Sequence, residues 1–247
     1  MVEQSCSCKG FFMHRHITVP QMYNMRDLGG LPTHTGQTTP HGVFWRGDSP
    51  HHAAAQVRDI LLQHQITTVI DMRQSDECAK YPNPLIHDTE IHYIHVPLLV
   101  GRGDTLAITT LRDFYVHIVD MRQSAIATVL HACATAPAGV YFHCQLGKDR
   151  TGIISALLLL LAGVAEGTVI ADYAETTNRL HPLVTKLQAE RPPHIPEDAY
   201  IELLSAHPDT MQHLLTHIRT QYGDIAGYLA SIDLAPTHID TLRAKLR

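Results

Sequence analysis

The segment His143-Cys144-Gln145-Leu146-Gly147-Lys148-Asp149-Arg150-Thr151-Gly152 sets a thiol and a guanidinium at the two ends of a short loop that contains a glycine. If the successive N–H groups of that loop converge, they form a nest for a tetrahedral anion, and the positive end of a following helix adds to it. The same field favours the thiolate of Cys144, which makes it a nucleophile held beneath a bound phosphoryl group. Arg150 presents a planar fork to two phosphoryl oxygens, a geometry that lysine cannot reproduce. Gln145, Leu146, Gly147, Lys148 and Asp149 supply the rest of the phosphate contacts. Asp149 is the nearest candidate acid for the leaving oxygen and the later base for water. Thr151 is expected to donate its hydroxyl to the Cys144 sulfur, and His143 to brace the loop from behind. Lys148 is expected at the rim, where it would favour substrates with more than one phosphate, such as phosphoinositides.

Other readings of the loop explain less. A buried structural thiol at a strand end leaves Gly147, Arg150, Thr151 and Gly152 without a purpose. A nucleotide-binding loop fails because Phe142 stands where its first glycine belongs and Asp149 where its serine or threonine belongs.

The elements that must position this loop follow from periodicity. Gly139 to Cys144 is a short apolar strand, and the apolar run from Gly152 to Ala165 reads as a buried helix beginning near Arg150. Before them come short strands and turns from Met22 to Asp48, an amphipathic helix from His52 to Gln63, and strands at Ile66 to Met72 and Ile91 to Pro97. Helices over Thr105 to Asp120 and Arg122 to Ala134 precede the Cys144 loop. Strands separated by helical stretches imply parallel pairing and an α/β layered fold, with ligands at the carboxyl ends of the strands. Beyond Gly167 the pattern is helical, with breaks expected at His181-Pro182, at the proline cluster from Pro192 to Pro196, at Pro208, at Gly223 and at Pro236. No repeat or long polar linker interrupts the chain, so residues 1–247 read as one domain. Its first 20 residues are expected to be flexible, and residues from about 165 onward form a helical elaboration.

With 45% hydrophobic residues in 247, the chain has ample material for a core. A formal net charge of -5 argues against a nucleic-acid binder, so any anion site must be local. The five cysteines, at positions 6, 8, 78, 133 and 144, are odd in number and scattered, which points to a reducing compartment. No secretory signal is evident at the start and no apolar run spans a bilayer, so a cytoplasmic location is the expectation. The 19 histidines invite a metal reading, with the pairs His14 and His16, His51 and His52, and His92 and His95 the nearest candidates. None forms a ligand motif, and His92 and His95 fall on opposite faces of one strand, so no metal and no cofactor are expected.

Several further segments carry a family resemblance. The Cys144 loop resembles the CxxxxxR signature of Cys-based protein tyrosine phosphatases, and HCxxGKDRTG resembles the bacterial atypical class with dual or triple specificity. Asn24-Met25-Arg26-Asp27-Leu28-Gly29-Gly30 is similar to that family's NxRDLGG, Phe44-Trp45-Arg46 to its early arginine strand, and Val69 to Arg73 to its DLR strand end. Asp172-Tyr173 and Tyr222 to Leu229 resemble its helical C-terminal half. The resemblance implies a tyrosine-phosphatase-like α/β fold with a central, mostly parallel sheet. It implies a phosphomonoesterase with Cys144 as nucleophile, Arg150 on phosphate and Asp149 as the acid. Its substrates would be phosphorylated proteins or phosphoinositides, with phosphate bound in the loop. It also implies a lid in the helical tail, around Asp198 to Tyr222. Gln145 and Leu146 stand where small residues or an aromatic are common, and Gly47 stands where serine is frequent.

The remaining candidates are supporting ones. Arg26 and Asp27 are expected to form an internal salt bridge that pins the NxRDLGG turn, with Gly29 and Gly30 supplying positive φ. Asp71, at a strand end, and Asp104, in a loop, are the other candidate acids, and Arg46 a supporting arginine. Two other function classes stay open: a phosphate-binding module without turnover, and a rhodanese-like sulfurtransferase.

Overall fold

The computed structural model describes residues 15–99, 110–193 and 195–247. Cys6, Cys8, His14 and Asp104 lie outside the described residues, as does the expected start of the helix at Thr105.

Five strands form one sheet in the order β1-β2-β5-β3-β4. They are β1 (Arg26–Asp27), β2 (Phe44–Gly47), β3 (Ile66–Asp71), β4 (His92–His95) and β5 (Gly139–His143). Only β1 runs antiparallel, against β2; the other pairs are parallel. Parallel neighbours need crossover helices. These are α1 (Ala54–Gln63), α2 (Ser75–Lys80), α3 (Leu111–Met121) and α4 (Gln123–Thr135), followed after β5 by α5 (Asp149–Leu161). The register lines up Gly47 and Asp71 with His143, and His95 with Asp71, so the carboxyl ends of four strands share one edge. Cys144 follows directly on that edge, as the α/β reading expects.

Alternation along the strands divides the core into two layers. Phe44, Ile70, Val140 and Phe142 face the larger layer, which holds α3, α4 and α5, while Trp45, Val69 and Tyr141 face the smaller one with Val57 and Leu61 of α1. Helix α5 has ten of its thirteen residues buried, which is why its sequence is apolar on all sides.

The tail continues as α6 (Glu166–Ala189), α7 (Glu197–Leu204), α8 (Pro208–Tyr222), α9 (Ile225–Ser231) and α10 (Pro236–Lys245). The expected break at His181-Pro182 does not occur. Helix α6 runs through Pro182, losing one backbone donor there, and its buried residues, from Val169 to Leu180, all precede the proline and anchor the helix. Helix α2 had no periodic signal because it is only six residues long; a capping box between Gln74 and Glu77 makes it. Of the stretch in which a lid was expected, α8 belongs to the core through Met211, Leu214, Leu215 and Ile218. No helix among the described residues is long and apolar enough to cross a membrane.

Candidate active site

The loop after β5 is held by its carbonyls. His143 Nδ1 donates to the Cys144 carbonyl at 3.0 Å and the Ser49 N–H to that of Gln145 at 3.0 Å. The amide of Asn24 donates to the Leu146 and Gly147 carbonyls, each at 2.9 Å, and Arg46 Nη2 adds a bond of 2.8 Å to Gly147. Four consecutive carbonyls are therefore turned toward the scaffold. Among the described residues, no acceptor takes the N–H groups from Gln145 to Asp149, an arrangement that could hold an anion. Gly147 makes the turn at φ +66°, and Cys144 sits beneath with 1% of its surface exposed.

Arg150 is placed by an acid that the sequence reading missed. Its Nη1 and Nη2 donate to the two carboxylate oxygens of Glu77 at 2.5 and 2.8 Å. Burial alone would lower the Arg150 pKa, and this contact reverses the effect. A guanidinium carries five N–H donors, and end-on pairing with Glu77 leaves the fork of Nε and Nη2 for two phosphoryl oxygens. Glu77 also accepts the Gln74 N–H, so the capping box that builds α2 orients the arginine as well.

Lys148 is not at the rim. It is 1% exposed, and its ammonium donates to the carbonyls of Leu203 and Ser205 at the end of α7. It also lies 3.3 Å from Asp149 Oδ1. Those carbonyls, at the negative end of a helix, attract the ammonium inward. Asp149 further accepts the Tyr115 hydroxyl at 2.9 Å and is 26% exposed. The expected bond from Thr151 to the Cys144 sulfur is absent: Thr151 Oγ1 is buried without a partner, as is Gln145 Oε1.

The expected Arg26 to Asp27 pair is absent, because adjacent residues of a strand point to opposite faces. Asp27 instead accepts the N–H groups of Gly29 and Gly42 and faces His41. Of the two glycines, only Gly30 has positive φ; Gly29 is required because a Cβ there would lie 2.5 Å from the His41 Cα. Arg26 turns to Asp172 in α6, joined by Arg15 at 2.6 Å and Arg46 at 2.8 Å. Burial would raise the Asp172 carboxyl, but the three guanidiniums hold it well below the usual carboxylate range. Burial, with Arg26 beside it, pulls Arg46 down to about 10.

Asp71 faces the Cys144 edge as expected. Burial opposes its charge, but a fork of bonds from Arg73 keeps it below the usual range, and Asn83 and Tyr93 also donate to it. A carboxylate so supplied with donors is poorly placed to give a proton, and it holds Arg73 and Asn83. Asn83 donates to His143 Nε2, which leaves the imidazole proton on Nδ1 for the Cys144 carbonyl. Burial lowers the His143 pKa, so the ring is neutral and its 3.6 Å contact with Asp71 is no ion pair.

Asn24, Glu77, Asn83, Tyr115, Tyr173 and Asp172 are the residues that the site reading omitted. Asn24 and Asp172 stood within the recognised segments, and Glu77 was legible as the fourth residue of a capping box. Tyr173 stood beside Asp172 in a recognised segment, whereas Tyr115 gave no local signal. Among the described residues no group of three or more histidine, cysteine or acidic side chains is placed to hold a metal.

Residues 17–247 match the model of the tyrosine phosphatase family. The chain is 32% identical over 203 residues to a tyrosine-protein phosphatase of Nostoc commune, covering 76% of this chain and 69% of that one. It is 30% identical over 175 residues to a putative tyrosine-protein phosphatase of Cupriavidus necator, covering 63% and 61%. Among solved structures, P. aeruginosa TpbA aligns at a TM-score of 0.36 and 15% identity over 77% of this chain and 86% of that one. Its Cys-to-Ser form in complex with pTyr aligns at 0.37 and 14% over 78% and 88%. With a family match over nearly its whole length and a thiol set beneath a ring of free N–H groups, this chain belongs to the tyrosine phosphatase family.

Proposed function

We propose that the protein hydrolyses phosphotyrosyl esters through a cysteinyl-phosphate intermediate. The observation that supports this most is the loop from Cys144 to Arg150, whose carbonyls are bound outward while its N–H groups stay unpaired around a buried thiol. In the first step the Cys144 thiolate attacks phosphorus in line, the bond to the tyrosyl oxygen breaks, and Asp149 gives that oxygen its proton. In the second, water attacks phosphorus and gives a proton to Asp149, and the sulfur leaves as thiolate. The N–H groups and the free fork of Arg150 hold the equatorial oxygens in both steps.

The depth of Cys144 favours a long phosphotyrosyl arm over a short phosphoseryl one. The names of the two relatives agree with that preference. Phosphoinositides lose the contact for which Lys148 had been expected, because its ammonium is committed to α7. Rates measured on a phosphotyrosyl peptide, a phosphoseryl peptide and soluble phosphoinositides test the order, and a phosphoinositide rate equal to the phosphotyrosyl rate overturns it. Cys144→Ser tests the mechanism: turnover is lost while a phosphate analogue still binds. Turnover retained by Cys144→Ser with a chelator present excludes the thiol as nucleophile.

A further inference from the structure

Two buried tyrosines converge on the acid of the loop. Tyr115 in α3 donates its hydroxyl to Asp149 Oδ1 at 2.9 Å, and the hydroxyl of Tyr173 in α6 lies 2.8 Å from that of Tyr115. A phenol has one proton. Since that of Tyr115 goes to Asp149, Tyr173 must donate to Tyr115, and the three groups form a directed chain from α6 through α3 to the loop. Tyr115 is fully buried, and burial together with Asp149 and Tyr173 raises its pKa well above the ordinary phenol value. It therefore stays a donor throughout the range in which the enzyme works.

The second observation concerns the other oxygen. Oδ1 takes the Tyr115 hydroxyl and faces the Lys148 ammonium at 3.3 Å, whereas no described residue donates to Oδ2. Protonating Oδ1 would set its proton against a hydroxyl donor and a cation. Protonating Oδ2 disturbs neither contact.

We infer that Tyr115, oriented by Tyr173, is a positioning residue that fixes Asp149 by Oδ1 and so makes Oδ2 the oxygen that gives and takes the proton in the two steps. This rests on the assignment of Asp149 as the acid in the proposed reaction. When Oδ2 passes its proton to the leaving oxygen, the carboxylate that forms keeps its Oδ1 contacts unchanged, so no donor has to reorient during the step. When water is activated the proton returns to the same atom.

The test compares p-nitrophenyl phosphate, whose leaving group needs little help, with phenyl phosphate, whose leaving group needs a proton. Three variants are compared: Asp149→Asn, Tyr115→Phe and Tyr173→Phe. Tyr115→Phe is expected to lower kcat/KM, which reports the first step alone, by about tenfold on phenyl phosphate and by less than about twofold on p-nitrophenyl phosphate. Tyr173→Phe is expected to act in the same direction with a smaller effect, and it serves by itself if Tyr115→Phe does not fold. An equal effect on kcat/KM for both esters overturns the inference if Asp149→Asn does discriminate between them. If Asp149→Asn shows no such discrimination, the acid assignment is what falls.

Discussion

Gly47 and Gly147 meet backbone to backbone, so closely that a Cβ on Gly147 would lie 2.4 Å from the carbonyl carbon of Gly47. Gly47 is itself enclosed, since a Cβ there would lie 2.7 Å from the Tyr141 hydroxyl and 3.0 Å from the Met25 Cα. The end of β2 and the Cys144 loop share one narrow space, and the glycine after Arg46 in place of a serine is part of how they fit.

Gly147→Ala is therefore expected to combine a disfavoured φ with a clash against fixed backbone, costing about 2 kcal/mol or more and displacing the loop. Activity should fall at least tenfold by rough estimate, since small displacements of a binding loop are expensive. Gly36→Ala is the control: φ there is +80° but nothing lies within 4 Å of the added carbon. It should cost only about 1 kcal/mol and leave kcat unchanged. Thermal midpoints and turnover of the two variants decide the matter, and a Gly147→Ala enzyme with normal turnover refutes it.

Glu77 neutralises Arg150 and also holds it in place, and orientation should dominate, because an unheld guanidinium must be ordered anew by each phosphate. Glu77→Gln is expected to weaken inhibition by vanadate by about tenfold, with a fall in kcat and little change in folding stability. Tighter vanadate binding would show that neutralisation was the larger effect.

Asp172 gives the folding equilibrium a pH dependence of known sign. Its carboxyl is held below the usual range in the folded protein and titrates near the ordinary aspartate value of 3.8 when unfolded. In acid the unfolded chain takes up a proton that the folded one refuses, so this contribution is complete above that value and is lost as pH falls below it. The difference in urea midpoint between the parent and Asp172→Asn isolates this contribution, and it should be level from pH 7 to pH 5 and shrink below about pH 4. Asp172→Asn leaves three buried guanidiniums without their anion and should cost about 3 to 5 kcal/mol at pH 7. A variant as stable as the parent would mean that Arg15, Arg26 and Arg46 find other partners.

The sheet, the Cys144 loop and its helix were legible because strand length, glycine placement and an all-apolar helix are local patterns. Asn24, Arg26 and Arg46 were legible as segments, but not as a device: the bonds that turn the Leu146 and Gly147 carbonyls outward join distant parts of the chain. The Arg26 to Asp27 pair was misread because sequence adjacency on a strand means opposite faces. Lys148 was placed at the rim because nothing local shows that the end of α7 comes back to meet it. The helix through Pro182 shows the same limit, since the packing that anchors it lies in the residues before the proline.

The separations also bear on assembly. Asn24 and Gly147 are 123 residues apart, Arg46 and Gly147 101, and Arg46 and Asp172 126. Apart from the His143 bond to the neighbouring Cys144 carbonyl, the bonds that shape the cradle join distant parts of the chain, and each bears the entropy of closing a long loop before giving anything back. A chain with all its helices formed but these contacts missing has a thiol and an arginine and no place for phosphate. Recovery of activity on refolding should therefore trail recovery of secondary structure, and an active molecule is one whose topology is complete.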